Sequence, residues 1–336
     1  MKVIILGLDG ATWDVLWPRI ERGAMPHLTG LLEQGAWGSL RSTIPPFSAQ
    51  AWTSLSTGKN QARHGVVDFW ERDPRSPGER RTFVSSRQVQ GETLWQTAGR
   101  HGRRVGVVNV PVTYPPTPVN GYLVSGFLTP PGRTDYVYPA TLKDEIEALV
   151  PGYKPDPFDP LGATRQQLVE LVTWMERHET VARYLLDGDP PDLFFGVVQA
   201  IDHLQHLFWN EIDGTASHEL DELHEELGSR KARKDATDAE GLVRGLIERC
   251  YGMADGIIGD RLRRLDGWYR PEEAKVARNR FRMNSLRKHE DAGRIVQESC
   301  EHPPHLIEAS RILIPQFALR SETDKKRSGQ FRAIDG

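Results

Sequence analysis

The sequence predicts an α/β protein with a doubly wound, mostly parallel sheet and helices on both faces. Three observations lead there. Short apolar runs rich in Val, Ile and Phe recur at residues 3–8, 105–110, 122–126 and 193–199. Such runs, apolar on consecutive residues rather than alternating, suit strands buried on both faces of a parallel sheet. Between them lie segments with helical apolar spacing, and strand–helix alternation is the mark of this fold class. Finally, an aspartate stands at the carboxyl end of two runs, Asp9 after the first and Asp202 after the last. In open parallel sheets that edge is where ligands bind.

Taken in order, residues 3–8 form the first strand, ended by Asp9-Gly10. Residues 12–32 carry helical spacing interrupted at Pro18 and Pro26, with Gly35 as the stop. Pro45-Pro46 closes a short extended piece, and Ser48 opens an apolar, Ser/Thr-rich helix that halts at Gly58. The strands at 105–110 and 122–126 flank a proline-rich loop at 111–118. Residues 130–160 read as a loop-rich insertion over the sheet edge, with one helical piece at 141–149. A long helix at 164–186 leads into the strand at 193–199. From Asp202 to about residue 265 the pattern is helical and strongly charged, and 217–249 reads as a solvated helical face. Beyond 265 only residues 312–319 suggest a strand, with Pro315 inside it.

A chain of 336 residues with 38% hydrophobic and 26% charged content can bury a full core. The net charge of −3 argues against wholesale nucleic-acid binding, yet residues 261–336 hold 17 Lys/Arg against 11 Asp/Glu. The chain therefore divides into a domain over 1–265 and an atypical basic segment over 266–336, expected to be poorly ordered. Cys250 and Cys300 alone make neither a disulfide framework nor a cysteine zinc site. The apolar start is shorter than a signal peptide requires, and no run reaches the ~20 residues of a membrane span. A cytoplasmic location follows as the expectation.

Several residues carry chemistry. Asp202-His203-Leu204-Gln205-His206 sets Asp202 and His206 at i, i+4 on one helical face, where a carboxylate and an imidazole together suit zinc or manganese. His203 lies off that face. Ser48 opens its helix, where unpaired N–H groups and the dipole favour an anion. The bland alternatives are a turn residue for each aspartate and an ordinary N-cap for Ser48. Gly58-Lys59-Asn60 resembles the end of a phosphate-binding loop, but Thr53 stands where the first glycine belongs.

Val3 to Gly10, the block Ser42 to Ser54, Thr57-Gly58-Lys59-Asn60, His64-Gly65, Val108-Asn109-Val110-Pro111, Thr113-Tyr114-Pro115, Ser125-Gly126-Phe127 and Asp192 to Trp209 together resemble the alkaline phosphatase superfamily. The closest branch is the type I phosphodiesterase/nucleotide pyrophosphatase group, including its predicted phosphohydrolase and phosphomutase members, over about residues 1–265. The interval from Ser48 to Thr57-Gly58 is the one that separates nucleophile and Thr-Gly in that family, which selects Ser48 among the nearby hydroxyls. The resemblance implies a phosphoester hydrolase acting on a small phosphoester or nucleotide. Asp9 and Ser48 would hold one divalent metal ion, zinc or manganese, and Asp202 and His206 a second. Two such ions clamp the attacking and leaving oxygens of an in-line displacement. Ser48 would form a covalent intermediate released by water, or by a second alcohol in a mutase.

The family closes its site with Ser-Asp-His-Gly after a late core strand, followed by a further histidine. Asp255-Gly256-Ile257-Ile258-Gly259 is similar to the preceding helix, but the strand and motif do not follow. His289, His302 and His305 have no Asp immediately before them and read as surface residues. The expectation is a sheet without the late core strands and metal sites short of ligands. The competing readings are a working phosphohydrolase, an inactive relative that binds a phosphoester or a protein, and an aberrant gene product.

Overall fold

The computed structural model describes residues 1, 3–72, 81–156, 165–213 and 230–265. Five strands make the main sheet: β1 (Val3–Leu8), β4 (Val105–Val110), β5 (Gly121–Ser125), β6 (Val137–Tyr138) and β7 (Leu193–Val198). Their order is β1-β7-β4-β5-β6. All neighbours are parallel except the terminal β5–β6 pair. A separate hairpin pairs β2 (Trp70–Arg72) with β3 (Arg81–Phe83).

Helices cover both faces. One core joins Ile4, Leu8 and Phe194 to α1 (Trp13–Glu21), α2 (Pro26–Gln34), α7 (Arg165–Gly188), α8 (Ala200–Asp213) and α9 (Arg230–Arg263). The other sets Val107, Leu123, Phe195 and Val197 against Trp52 of α3 (Ser48–Thr57) and Trp95 of α5 (Leu94–Arg100). Phe194 and Phe195 are both fully buried yet belong to opposite cores, as period-two side chains in a two-sided sheet must. The short helices α4 (Gln61–His64) and α6 (Leu142–Leu149) complete the set described.

Local chemistry explains most boundaries. Gly58 ends α3 in the left-handed region at φ 65°, and Asn60 caps α4 by accepting the Arg63 N–H. Pro26 breaks the long helical pattern and opens α2, where a proline suits the first turn. Pro18 does not interrupt: it lies inside α1. Segment 130–156 contributes more than a cover. Its β6 extends the sheet, and Tyr136, Val137, Ile146 and Tyr153 enter the core.

Among the described residues no strand follows β7 in the chain, and no helix is long and apolar enough to cross a membrane. The strand candidate at 312–319, the basic segment 266–336 and the three late histidines lie outside the described residues, as does 214–229 of the charged stretch.

Candidate active site

The β1–β7 register assembles the site. Leu8 pairs with Val198, so the next residues, Asp9 and Gln199, meet at the carboxyl edge, and the Asp9 N–H donates to the Val198 carbonyl at 3.1 Å. The chain then turns at Gly10, with φ +70°; a β-carbon there would fall 2.7 Å from Asp202 Cα. Glycine thus supplies both the left-handed turn and the close approach of the Asp9 loop to Asp202.

Ser48 arrives from the other face. Gly7 leaves room for the Trp52 indole against β1: a β-carbon on Gly7 would lie 2.0 Å from Trp52 Cη2. Trp52 is fully buried and stacks edge-on to Phe195, which seats α3 with its amino end at the sheet edge. Phe47 occupies the cap position, so Ser48 is the first helical residue, and its side chain makes no capping bond. Its Oγ donates instead to Asp9 Oδ1 at 3.3 Å. The ordinary N-cap alternative therefore does not hold for Ser48.

Asp202 and His206 sit on the first turns of α8, with His206 Nε2 3.6 Å from Asp202 Oδ2. The Asp202 side chain is 13% exposed and that of His206 67%, so the pair runs from the buried floor to the open rim. His203 points elsewhere, packing against Trp174 and Phe127. Burial there pushes its imidazole down to about 3.

Electrostatics single out the two carboxylates. Burial pushes the Asp9 carboxyl above the usual carboxylate range, against contacts with Trp52, Gln199, Ser48 and the Gly10 N–H that favour the charged form. Trp52 Nε1 falls short of hydrogen-bond geometry. Gln199 Nε2, 2.5 Å from Asp9 Oδ2, is the firmer donor. Asp202 is raised well above the usual range by burial and then by the charge of Asp9. Two desolvated carboxylates that repel one another are what a divalent cation neutralises.

Asp9, Ser48, Asp202 and His206 are thus brought to one edge as two contacting pairs. Among the described residues no cluster of three or more His, Cys, Asp or Glu is arranged for a metal. A closed zinc site takes four protein ligands and a catalytic one three. This donor set, mostly oxygen, fits ions that complete their shell with water and phosphate oxygens.

Residues 3–289 match the family model for type I phosphodiesterase / nucleotide pyrophosphatase. The chain belongs to that family. It falls within the alkaline phosphatase superfamily, and the match runs past residue 265, where the recognisable motifs stop. Among curated proteins none matches. Two solved structures of phosphonoacetate hydrolase from Sinorhizobium meliloti 1021, one with phosphonoacetate and one with phosphonoformate, are similar at 17% identity. Their TM-scores are 0.41 and 0.42, and each alignment covers 76% of this chain. The chain spans about half the length of these relatives, 54% in each case.

Sequence reasoning passed over Gln199, Trp52 and Gly10. Gln199 carried a signal: it is the residue that follows the last strand, directly opposite Asp9 in a parallel register.

Proposed function

We propose that the chain is a metal-dependent phosphoester hydrolase of the phosphodiesterase/nucleotide pyrophosphatase type, with Ser48 as nucleophile. The observation that carries this reading is the Ser48–Asp9 hydrogen bond at the head of α3, beside Asp202 and His206. Divalent ions held by Asp9 with Ser48 and by Asp202 with His206 would supply Lewis-acid stabilisation and lower the serine pKa. The oxygen-rich pair favours manganese over zinc at the first position.

The residues themselves set the rest. Asp9 orients the Ser48 hydroxyl through its Oδ1. The α3 N-terminus, whose first N–H groups lack helical partners, faces the incoming phosphoryl oxygens. With its proton given up to solvent, Ser48 Oγ would attack phosphorus as the P–O bond to the alkoxide breaks. The alkoxide takes a proton from water, and a second water then cleaves the phosphoserine to return the hydroxyl. His206, at the open rim beside Asp202, would be the ligand that solvent and substrate reach first. The substrate is a small phosphoester or nucleotide in a cytoplasmic setting. Residues 1–265 form the catalytic domain, and 266–336 are a basic appendage.

A second reading, a relative that binds a phosphoester without turnover, draws on the absence of any three-donor cluster among the described residues. One experiment separates the two: bis-p-nitrophenyl phosphate hydrolysis with added Mn²⁺ or Zn²⁺, wild type against Ser48→Ala. Metal-dependent turnover lost in Ser48→Ala supports the enzyme. No turnover, with bis-p-nitrophenyl phosphate retained by the protein in equilibrium dialysis, supports the binding protein, and neither turnover nor retention rejects both.

A further inference from the structure

Gln199 touches both halves of the site. Its side-chain Nε2 donates to Asp9 Oδ2 at 2.5 Å, and its backbone carbonyl accepts the Asp202 N–H at 3.1 Å and the His203 N–H at 3.4 Å. The residue is 3% exposed, so no solvent competes for these contacts. Its Oε1 is buried without a partner. The amide orientation is therefore dictated from one side, because the reverse would set an amide oxygen against a carboxylate oxygen.

We propose that Gln199 is a positioning residue for the two-carboxylate site, holding Asp9 through its amide and Asp202 through its carbonyl so that both face one cation-binding edge. The parallel register makes this possible: with Leu8 opposite Val198, the residue after β7, Gln199, comes beside Asp9 as α8 begins. The inference rests on the metal-dependent reading above and adds to it a residue that need not touch the metal. Hydrogen-bond partners of metal ligands of this kind are worth roughly 10–100-fold in affinity.

The test measures Mn²⁺ binding by isothermal titration calorimetry and by the EPR signal of free Mn²⁺, using the full chain. Gln199→Leu, close in volume but without the amide, should bind about 10–100-fold more weakly while keeping the wild-type circular dichroism. Gln199→Glu, close in shape, should lower the melting temperature in chelator and recover it when Mn²⁺ is added, because a third carboxylate repels Asp9 and Asp202 until a cation arrives. The rise in melting temperature on adding Mn²⁺ should exceed that of wild type, and an equal rise in the two proteins would leave Gln199 without influence on the site. If Gln199→Leu does not fold, the Gln199→Glu pair of melting temperatures decides alone. Wild-type binding with Gln199→Leu within twofold of it overturns this inference and leaves the hydrolase reading standing. Wild type that takes up no Mn²⁺ overturns both.

Discussion

Ser48 Oγ lies 3.3 Å from Asp9 Oδ1 although 39 residues separate them in the chain. The contact joins the carboxyl end of β1 to the amino end of α3, and it depends on Trp52 filling the space left by Gly7. A serine that opens a helix ordinarily turns its hydroxyl back to the helix's own N–H groups. Here Phe47 takes the cap position and frees the hydroxyl for the carboxylate.

Ser48→Ala should therefore separate chemistry from folding. Turnover of bis-p-nitrophenyl phosphate falls by roughly 10³-fold or more, in the manner of a lost nucleophile. Stability changes by only about 1 kcal/mol, the worth of one hydrogen bond. Steady-state kinetics beside urea denaturation checks both. Residual turnover within tenfold of wild type would remove Ser48 from the nucleophile role.

Gly10 sets the separation of the two carboxylates. Gly10→Ala forces an L side chain into φ +70°, costing about 1–2 kcal/mol, and drives a β-carbon to 2.7 Å from Asp202 Cα. Backbone atoms cannot yield as a flexible side chain can, so Asp202 must move away from Asp9. Mn²⁺ affinity and turnover should both drop by more than the loss of stability accounts for. A variant with wild-type metal binding would show that the Asp9–Asp202 approach is not needed.

Much of this was legible in the sequence. The boundaries of β1 and β4 follow from continuous apolar runs, and the four candidate residues from their places at strand ends and a helix start. Less legible were the consequences of register. Gln199 reads as the last residue of a strand until the β1–β7 pairing sets it opposite Asp9. The role of Pro18 was misjudged: it costs α1 the bond to the Asp14 carbonyl, yet the helix runs on to Glu21 because Leu16 and Ile20 on either side of it are packed into the core. Asp255 was recognised only as part of a motif, since its partners lie more than 220 residues away.

That distant contact makes a stability prediction. Asp255 on α9 accepts the backbone N–H groups of His27 and Leu28, at 3.1 and 2.8 Å, and so caps α2 from another helix. Asp255→Ala leaves those donors unsatisfied and should cost about 1–3 kcal/mol. Asp255→Asn, which keeps one acceptor oxygen, should lose less. Equal chemical-denaturation midpoints for wild type and the alanine variant would contradict the capping role.

The last prediction concerns Asp202 in the absence of metal. Its carboxyl is raised well above the usual value of 3.8 by burial and by the neighbouring Asp9 charge. The native state then binds more protons than the unfolded state between the ordinary aspartate range and the raised one. Unfolding free energy must accordingly fall as pH rises through that window. Above the ordinary aspartate range the folded chain must either hold Asp202 charged beside Asp9 or keep a proton there, and Asp202→Asn removes that cost. In chelator at pH 7 the variant should be more stable than wild type, and the gap should close as the pH is lowered toward 4. Shifts at other acids, such as Asp135 and Asp260, are common to both proteins and cancel in the difference. Saturating Mn²⁺ should reverse the order, because only the paired carboxylates gain from the cation. Urea denaturation of both proteins from pH 4 to 8, with and without metal, reads this directly. A variant less stable than wild type at pH 7 in chelator would mean that the two carboxylates do not repel one another in the folded chain.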